Sequence, residues 1–353
     1  MEWLIEILYG IPVLGLVFQF LGYLIDTLPR LGPIALTAAA PVAYGALCGV
    51  MNERSGVVNI GIEGTMLSAA FTGFLAALLL DPMVGPGVAL AAGVVAAVIT
   101  AMAVSLLHAW LSVSIRADQI ISGTIINIGA FGLTGYLYAL VVSGQSQAGA
   151  GTFGRFDPPE WLVEVPVIGW LFQMFLRQGP ITISLILFVI GLQVLLFRSR
   201  WGLRTRAVGE HPKAADTVGI NVIRLRYRNV VIGGGLAGLA GAVLTLEQAG
   251  SFTPGMTNGM GFIALAAVIF GRWTPIGAFG AALLFQFSAA LGRQIGIRPP
   301  EGQLGEILTA IPNQFYAALP YVVTLIILAG VVGRSIPPAA VGQPYEKEGG
   351  RAA

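Results

Sequence analysis

The chain has 353 residues, 56% of them hydrophobic and only 10% charged, with a formal net charge of +2 and a mean hydropathy of +0.82. Soluble domains carry about 25% charged residues, so a soluble fold is excluded and most of the chain lies in lipid. The single cysteine, Cys48, permits no internal disulfide. Zinc-ligand spacing, a P-loop and a Ser/His/Asp set on soluble structure are all missing from the sequence. The expectation is no metal, no cofactor, no nucleic-acid partner and no enzyme chemistry.

A hydrocarbon core calls for about 20 apolar residues per helix, and the runs are read in chain order on that basis. Residues 1–25 give a first span or peripheral helix, weakened by Glu6, Gly10 and Pro12, with an exit at Asp26–Arg30. It lacks a basic n-region and a small-residue cleavage site, so it reads as a retained segment. Residues 31–51 form the second span, followed by the polar knot Asn52-Glu53-Arg54-Ser55-Gly56. Residues 57–80 form the third and contain Asn59 and Glu63 between glycines. Residues 84–110 form the fourth, and 120–142 the fifth, with Asn127 at mid-span. Residues 143–179 do not span; 159–176, with Glu160 and Glu164, suit one helix lying on the outer surface.

Residues 180–197 are the sixth span and 229–248 the seventh, where Gly234, Gly238 and Ala242 recur at four-residue spacing and permit close helix approach. Residues 262–272 and 275–291 read as two short helices or a re-entrant hairpin. Residues 307–319, broken by prolines, and 321–332 complete an all-α polytopic membrane helical bundle of about ten spans, within a range of about eight to ten, with broken or re-entrant helices. In domain terms these are residues 1–30, a membrane domain over 31–334 and a disordered cytoplasmic tail over 335–353.

Between the sixth and seventh spans lies a basic loop, 198–228. It carries Arg198, Arg200, Arg204, Arg206, Lys213, Arg224, Arg226 and Arg228 against Glu210 and Asp216. Basic loops stay in the cytoplasm, and with both termini inside most of the 19 Lys and Arg fall on that side. The middle of the loop reads as a short helix, with Pro212 at its first position and Gly219 as a left-handed cap.

Polar groups within spans are costly and face a cavity or a partner. Glu63 therefore borders a solute path, caps a half-helix or pairs with Arg54. Asn59 has the same two readings, path or structure. Asn127 either hydrogen-bonds a substrate or joins helices. Glu247, at the end of the seventh span, reads as a solvated helix end or an entrance gate. Arg272-Trp273, at a break, reads as a hinge or an interface anchor.

Five stretches taken together carry a resemblance: NERSGVVNIGIEGTML, RADQIISGTIINIGAFGLTGYL, GLRTRAVGEHPKAADTVGIN, NGMGFIALAAVIFGRWTPIG and the tail GQPYEKE. From about residue 33 to the tail the chain resembles permease subunits of ATP-binding cassette (ABC) importers. Within them it is similar to the ribose and nucleoside branch. It looks most like bacterial nucleoside permeases that work with a basic-membrane-protein-type lipoprotein, and like the shorter of their two permeases. The resemblance implies a second permease subunit, cytoplasmic ABC ATPases, an extracytoplasmic binding lipoprotein and a multi-pass place in the bacterial inner membrane. It also implies that Gly209, Glu210, Pro212, Ala214, Ala215, Asp216 and Gly219 belong to a coupling helix that docks on the ATPase. Relatives usually carry Asn or Asp where His211 stands. The alternatives are a sugar permease of the ribose type and an ion-coupled secondary transporter using Glu63.

Overall fold

The computed structural model describes residues 12–142, 149–165, 168–312, 314–316, 318, 322 and 335–346. Every regular element among them is helical. The first, α1 (Pro12–Glu53), is a single helix of 42 residues. The exit expected at Asp26–Arg30 therefore does not break the chain. Asp26 and Arg30 stand one turn apart and are both exposed, and the Thr27 hydroxyl donates back to the Tyr23 carbonyl. Polarity interrupts the apolar run there without ending the helix.

Next come α2 (Ile62–Val84), α3 (Pro86–Ala109, continued by a π-helical turn, Trp110–Ser114) and α4 (Gln119–Val141). The insert holds two short helices, α5 (Glu160–Val163) and α6 (Gly169–Leu176), in place of the one surface helix expected. Then follow α7 (Pro180–Arg198), α8 (Arg200–Glu210), α9 (Pro212–Thr217), α10 (Val222–Ala242, continued by a π-helical turn, Val243–Ala249), α11 (Met260–Phe270), α12 (Pro275–Ile297) and α13 (Gln303–Thr309). Local chemistry sets these ends. Proline occupies the first turn of α3, α7 and α9. Side chains of Asp118, Ser199 and Asn221 accept from backbone N–H groups at the starts of α4, α8 and α10.

Seven helices among the described residues are long and apolar enough to cross a membrane, so the chain is a multi-pass membrane protein. About ten spans were expected, and the difference has three local sources. Residues 12–53 are one helix; the expected span 262–272 is helical only to Phe270, within the 11-residue α11, about 16 Å long and far short of the roughly 30 Å core; and the expected span 321–332 lies almost wholly outside the described residues.

The chain divides into two compact units: residues 1–39, 155–178 and 283–333; and residues 40–154, 179–282 and 334–353. In the first, Leu31, Ala35 and Ala290 form a buried cluster with Phe287 and Leu291. The insert is tied in by buried Gln178, whose amide nitrogen donates to the Pro33 and Met174 carbonyls and whose oxygen accepts from Thr37. In the second, α2, α3 and α10 pack at backbone contact. A Cβ on Gly238 would lie 2.7 Å from the Val98 Cα, and one on Gly241 would lie 2.5 Å from the Met66 carbonyl oxygen. The small-residue face of α10 is thus the close-packing face.

The tail expected to be disordered over 335–353 is ordered over 335–346; residues 347–353 lie outside the described residues. The Ala340 N–H donates to the Gly209 carbonyl and the Gly342 N–H to the Gly56 carbonyl. Tyr345 is buried with Val208, Ala215, Val222 and Leu225. A buried ring and satisfied backbone groups outweigh the Gly/Pro composition that suggested disorder.

Candidate functional site: a cavity beside an unwound segment, and the basic loop

The third expected span starts late. Residues 57–61 are not helical, and α2 begins only at Ile62. An unwound segment within a membrane helix bundle survives only if its backbone groups find partners. Here side chains supply them. Gln119 accepts from the Val58 N–H (2.7 Å), His108 bonds the Val58 carbonyl (2.9 Å), and the Asn127 amide donates to the Ile60 carbonyl (3.0 Å). The Asn127 oxygen also accepts from the Gly64 N–H at 2.7 Å. Asn127 therefore stitches α4 to the start of α2. A Cβ on Gly64 would lie 2.8 Å from the Asn127 Cα, so only glycine permits this approach.

Glu63 sits in the first turn of α2 and reaches to α11. Its carboxylate accepts from the Gly259 N–H (2.8 Å) and the Gly261 N–H (2.6 Å). These are orphan donors at a helix N-terminus, where negative charge is stabilised. Glu63 thus caps a half-helix, one of the roles open to it from the sequence. It makes no bond with Arg54, whose guanidinium donates to the Trp273 and Arg272 carbonyls.

Glu63 and Asn127 also wall a cavity of about 410 Å³, together with Phe131, Thr257 and Asn258. Phe131 is 60% exposed, and Asn258 holds a left-handed backbone (φ 42°) beside Gly259. The cavity thus offers a carboxylate edge, two carboxamides and an aromatic face. That set suits an uncharged polar solute with ring surface and hydrogen-bonding edges. Asn59 does not join it. It is 1% exposed, and its carboxamide has no hydrogen-bond partner among the described residues.

Sequence reading missed Phe131, Thr257 and Asn258. The Asn-Gly pair at 258–259 is a turn signal, but nothing local indicates that the turn faces a cavity. Glu247 is also not a solvated end. It is buried and accepts from the Ile181 and Thr182 N–H groups at the start of α7 and from the Thr182 hydroxyl.

The basic loop folds as α8, α9 and the start of α10. Pro212 opens α9 and Gly219 (φ 82°) closes it, with the Gly219 N–H on the Asp216 carbonyl and the Ile220 N–H on the Ala215 carbonyl. Ala214 is exposed, as are Thr217 and Val218. Ala215 is not available to a partner; it faces inward, into the cluster with Tyr345. Glu210 accepts from the Ala339 N–H of the chain's own tail. Gly209 is buried against the Arg54 backbone, where a Cβ would lie 2.3 Å from the carbonyl oxygen. The loop therefore exposes Lys213, Ala214, Thr217 and Val218 of α9 and its end on a base bonded to its own chain.

The family model for the permease component of branched-chain amino acid transport systems matches residues 34–331. The chain is 40% identical over 328 residues to a Bacillus subtilis protein named as a guanosine ABC transporter permease, covering 92% of this chain and 98% of that one. It is 37% identical over 325 residues to a nucleoside ABC transporter permease of Lactococcus lactis, covering 92% and 98%. A Haloferax volcanii protein, provisionally named as a glucose ABC transporter permease, is 34% identical over 329 residues, covering 88% and 95%.

Proposed function

The chain belongs to the family of branched-chain amino acid transport system permease components, and on that premise we propose that this member carries nucleosides inward across a bacterial inner membrane. It is a permease subunit of an ABC transporter and not an enzyme; ATP hydrolysis lies on a separate subunit. The observation that carries the nucleoside reading is end-to-end similarity, at 37–40% identity, to two permeases named for nucleosides. The cavity supports it independently. A nucleoside offers a flat base to the Phe131 face and amide and hydroxyl edges to Glu63, Asn127 and Asn258.

In this reading residues 31–334 are the membrane domain and the cavity is this subunit's share of the solute path. A second permease supplies the rest, a pair of cytoplasmic ATPases drives the cycle, and an extracytoplasmic lipoprotein delivers the solute. Both termini and the basic loop lie in the cytoplasm. Residues 209–219 form the coupling element, with Ala214 as the contact centre, and Asp216 and Gly219 shape its far end.

The sugar reading is favoured by one observation, the relative named for glucose. Competition separates the two. In cells that depend on this system, uptake of labelled guanosine is expected to fall with excess inosine and to be indifferent to glucose and ribose. Uptake of labelled glucose blocked by ribose, with no guanosine uptake, overturns the nucleoside reading.

A further inference from the structure

Helix α11 is gripped at both ends by residues of one stretch, 53–63. At its N-terminal end is Glu63, which also walls the cavity. At its C-terminal end the chain turns through Arg272 and Trp273, both left-handed at φ 52° and 53°. Two consecutive non-glycine residues in that region are strained and persist only where neighbours hold them. The holders are specific. Arg54 Nε donates to the Trp273 carbonyl (2.7 Å) and its Nη2 to the Arg272 carbonyl (3.1 Å). The indole N–H of Trp273, a residue 5% exposed, donates to the Glu53 carboxylate.

The same short turn is fastened on its other side to the base of the basic loop. Gly209 lies on the Arg54 carbonyl. Arg226, 1% exposed, donates to the Ser55 carbonyl (3.2 Å) and to the Gln343 carbonyl of the tail (2.9 Å). Ala340 of that tail donates to the Gly209 carbonyl, and the Ser335 hydroxyl donates to the Ile269 carbonyl in the last turn of α11 (2.8 Å). One unbroken set of contacts thus runs from the loop base, through 53–56, along α11 to the cavity wall. It contains the strained Arg272-Trp273 turn, and mechanical coupling requires a contiguous path with an element that can take two arrangements.

We propose that Arg54 and Trp273 are the positioning residues through which the state of the basic loop sets the position of α11, and with it the Asn258–Gly259 edge of the cavity. The proposal rests on residues 209–219 being the ATPase contact.

The test uses the whole transporter, with Asn258→Cys as reporter; the native Cys48 is fully buried. Thiol labelling is compared between nucleotide-free and nucleotide-trapped complexes. The expected result is a difference in labelling rate of about threefold or more. Adding Arg54→Gln abolishes the difference while the ATPase stays bound and still traps nucleotide. Trp273→Phe, which keeps an aromatic ring but removes the N–H donor together with the five-membered ring of the indole, reduces it and serves where Arg54→Gln fails to assemble. A difference that survives unchanged in either assembled variant overturns the proposal, as does equal labelling in the two states of the reporter alone. Ala214→Arg separates the two readings. ATPase binding that survives it removes the coupling reading and this proposal with it. Binding lost there, alongside a labelling difference that Arg54→Gln leaves intact, removes this proposal alone.

Discussion

Glu63 and Glu247 are the same chemistry put to two uses. Each is a glutamate among apolar helices, and each receives two backbone N–H donors at the start of another helix, α11 for Glu63 and α7 for Glu247. The cost of a carboxylate within a span was legible in the sequence for Glu63, whereas Glu247, at a span end, read as solvated or as an entrance gate. The partners were not legible, because Gly259 lies 196 residues from Glu63 and Ile181 lies 66 from Glu247. Local pattern carries the expense of a buried group and not the address of the group that offsets it. Only Glu63 borders the cavity, so the two substitutions are expected to differ. Each loses charge-assisted bonds worth about 1.5–3 kcal/mol apiece at most, and both Glu63→Gln and Glu247→Gln lower the thermal midpoint of the purified permease. Glu63→Gln also cuts uptake about tenfold in protein matched for folded amount. Glu247→Gln leaves uptake per folded molecule near the parent value. Equal losses of uptake in the two variants would contradict the assignment of Glu63 to the path.

At the scale of elements, α9 was read with its correct start and stop because Pro212 and Gly219 act through their own backbone. Which of its alanines faces out was not readable. A six-residue helix holds less than two turns, too little for an apolar stripe to declare itself. The structure separates the two: Ala214 is exposed and Ala215 packs under the helix beside Tyr345. Ala214→Arg is therefore expected to lose ATPase co-purification with an unchanged melting curve. Ala215→Arg must drive a charge into the cluster, and is expected to cost several kcal/mol and to lower the yield of folded permease. Pull-down yield and melting of the two variants check this; the opposite pattern would invert the orientation of α9. The tail eluded sequence reading for a related reason. Its Gly/Pro content says that it forms no helix, but a segment without helix need not be disordered: 335–346 is an irregular strap bonded to Gly56, Gly209 and Arg226. Removing residues 340–353 is expected to destabilise the basic loop, read as faster proteolysis within 198–228.

For the molecule as a whole, hydropathy identified a helical membrane protein correctly; about ten spans were expected, and seven helices long and apolar enough to cross lie among the described residues. Exposed polar residues such as Asp26 and Arg30 interrupt an apolar run without interrupting a helix. A short helix such as α11 looks like a span until its 11 residues are set against the thickness of the bilayer. Charge bias predicts the orientation. A thiol introduced by Lys213→Cys is expected to resist an impermeant reagent added outside intact cells, while one introduced by Asp157→Cys in the insert reacts. The reverse would invert the topology. The most direct test of the account asks whether the cavity carries the solute. In a transporter with Phe131→Cys that retains uptake, the account predicts that modification with a bulky thiol reagent stops guanosine uptake while ATP is still hydrolysed, and that excess guanosine slows the modification. Complete modification with undiminished uptake, at a rate that guanosine does not change, would contradict it.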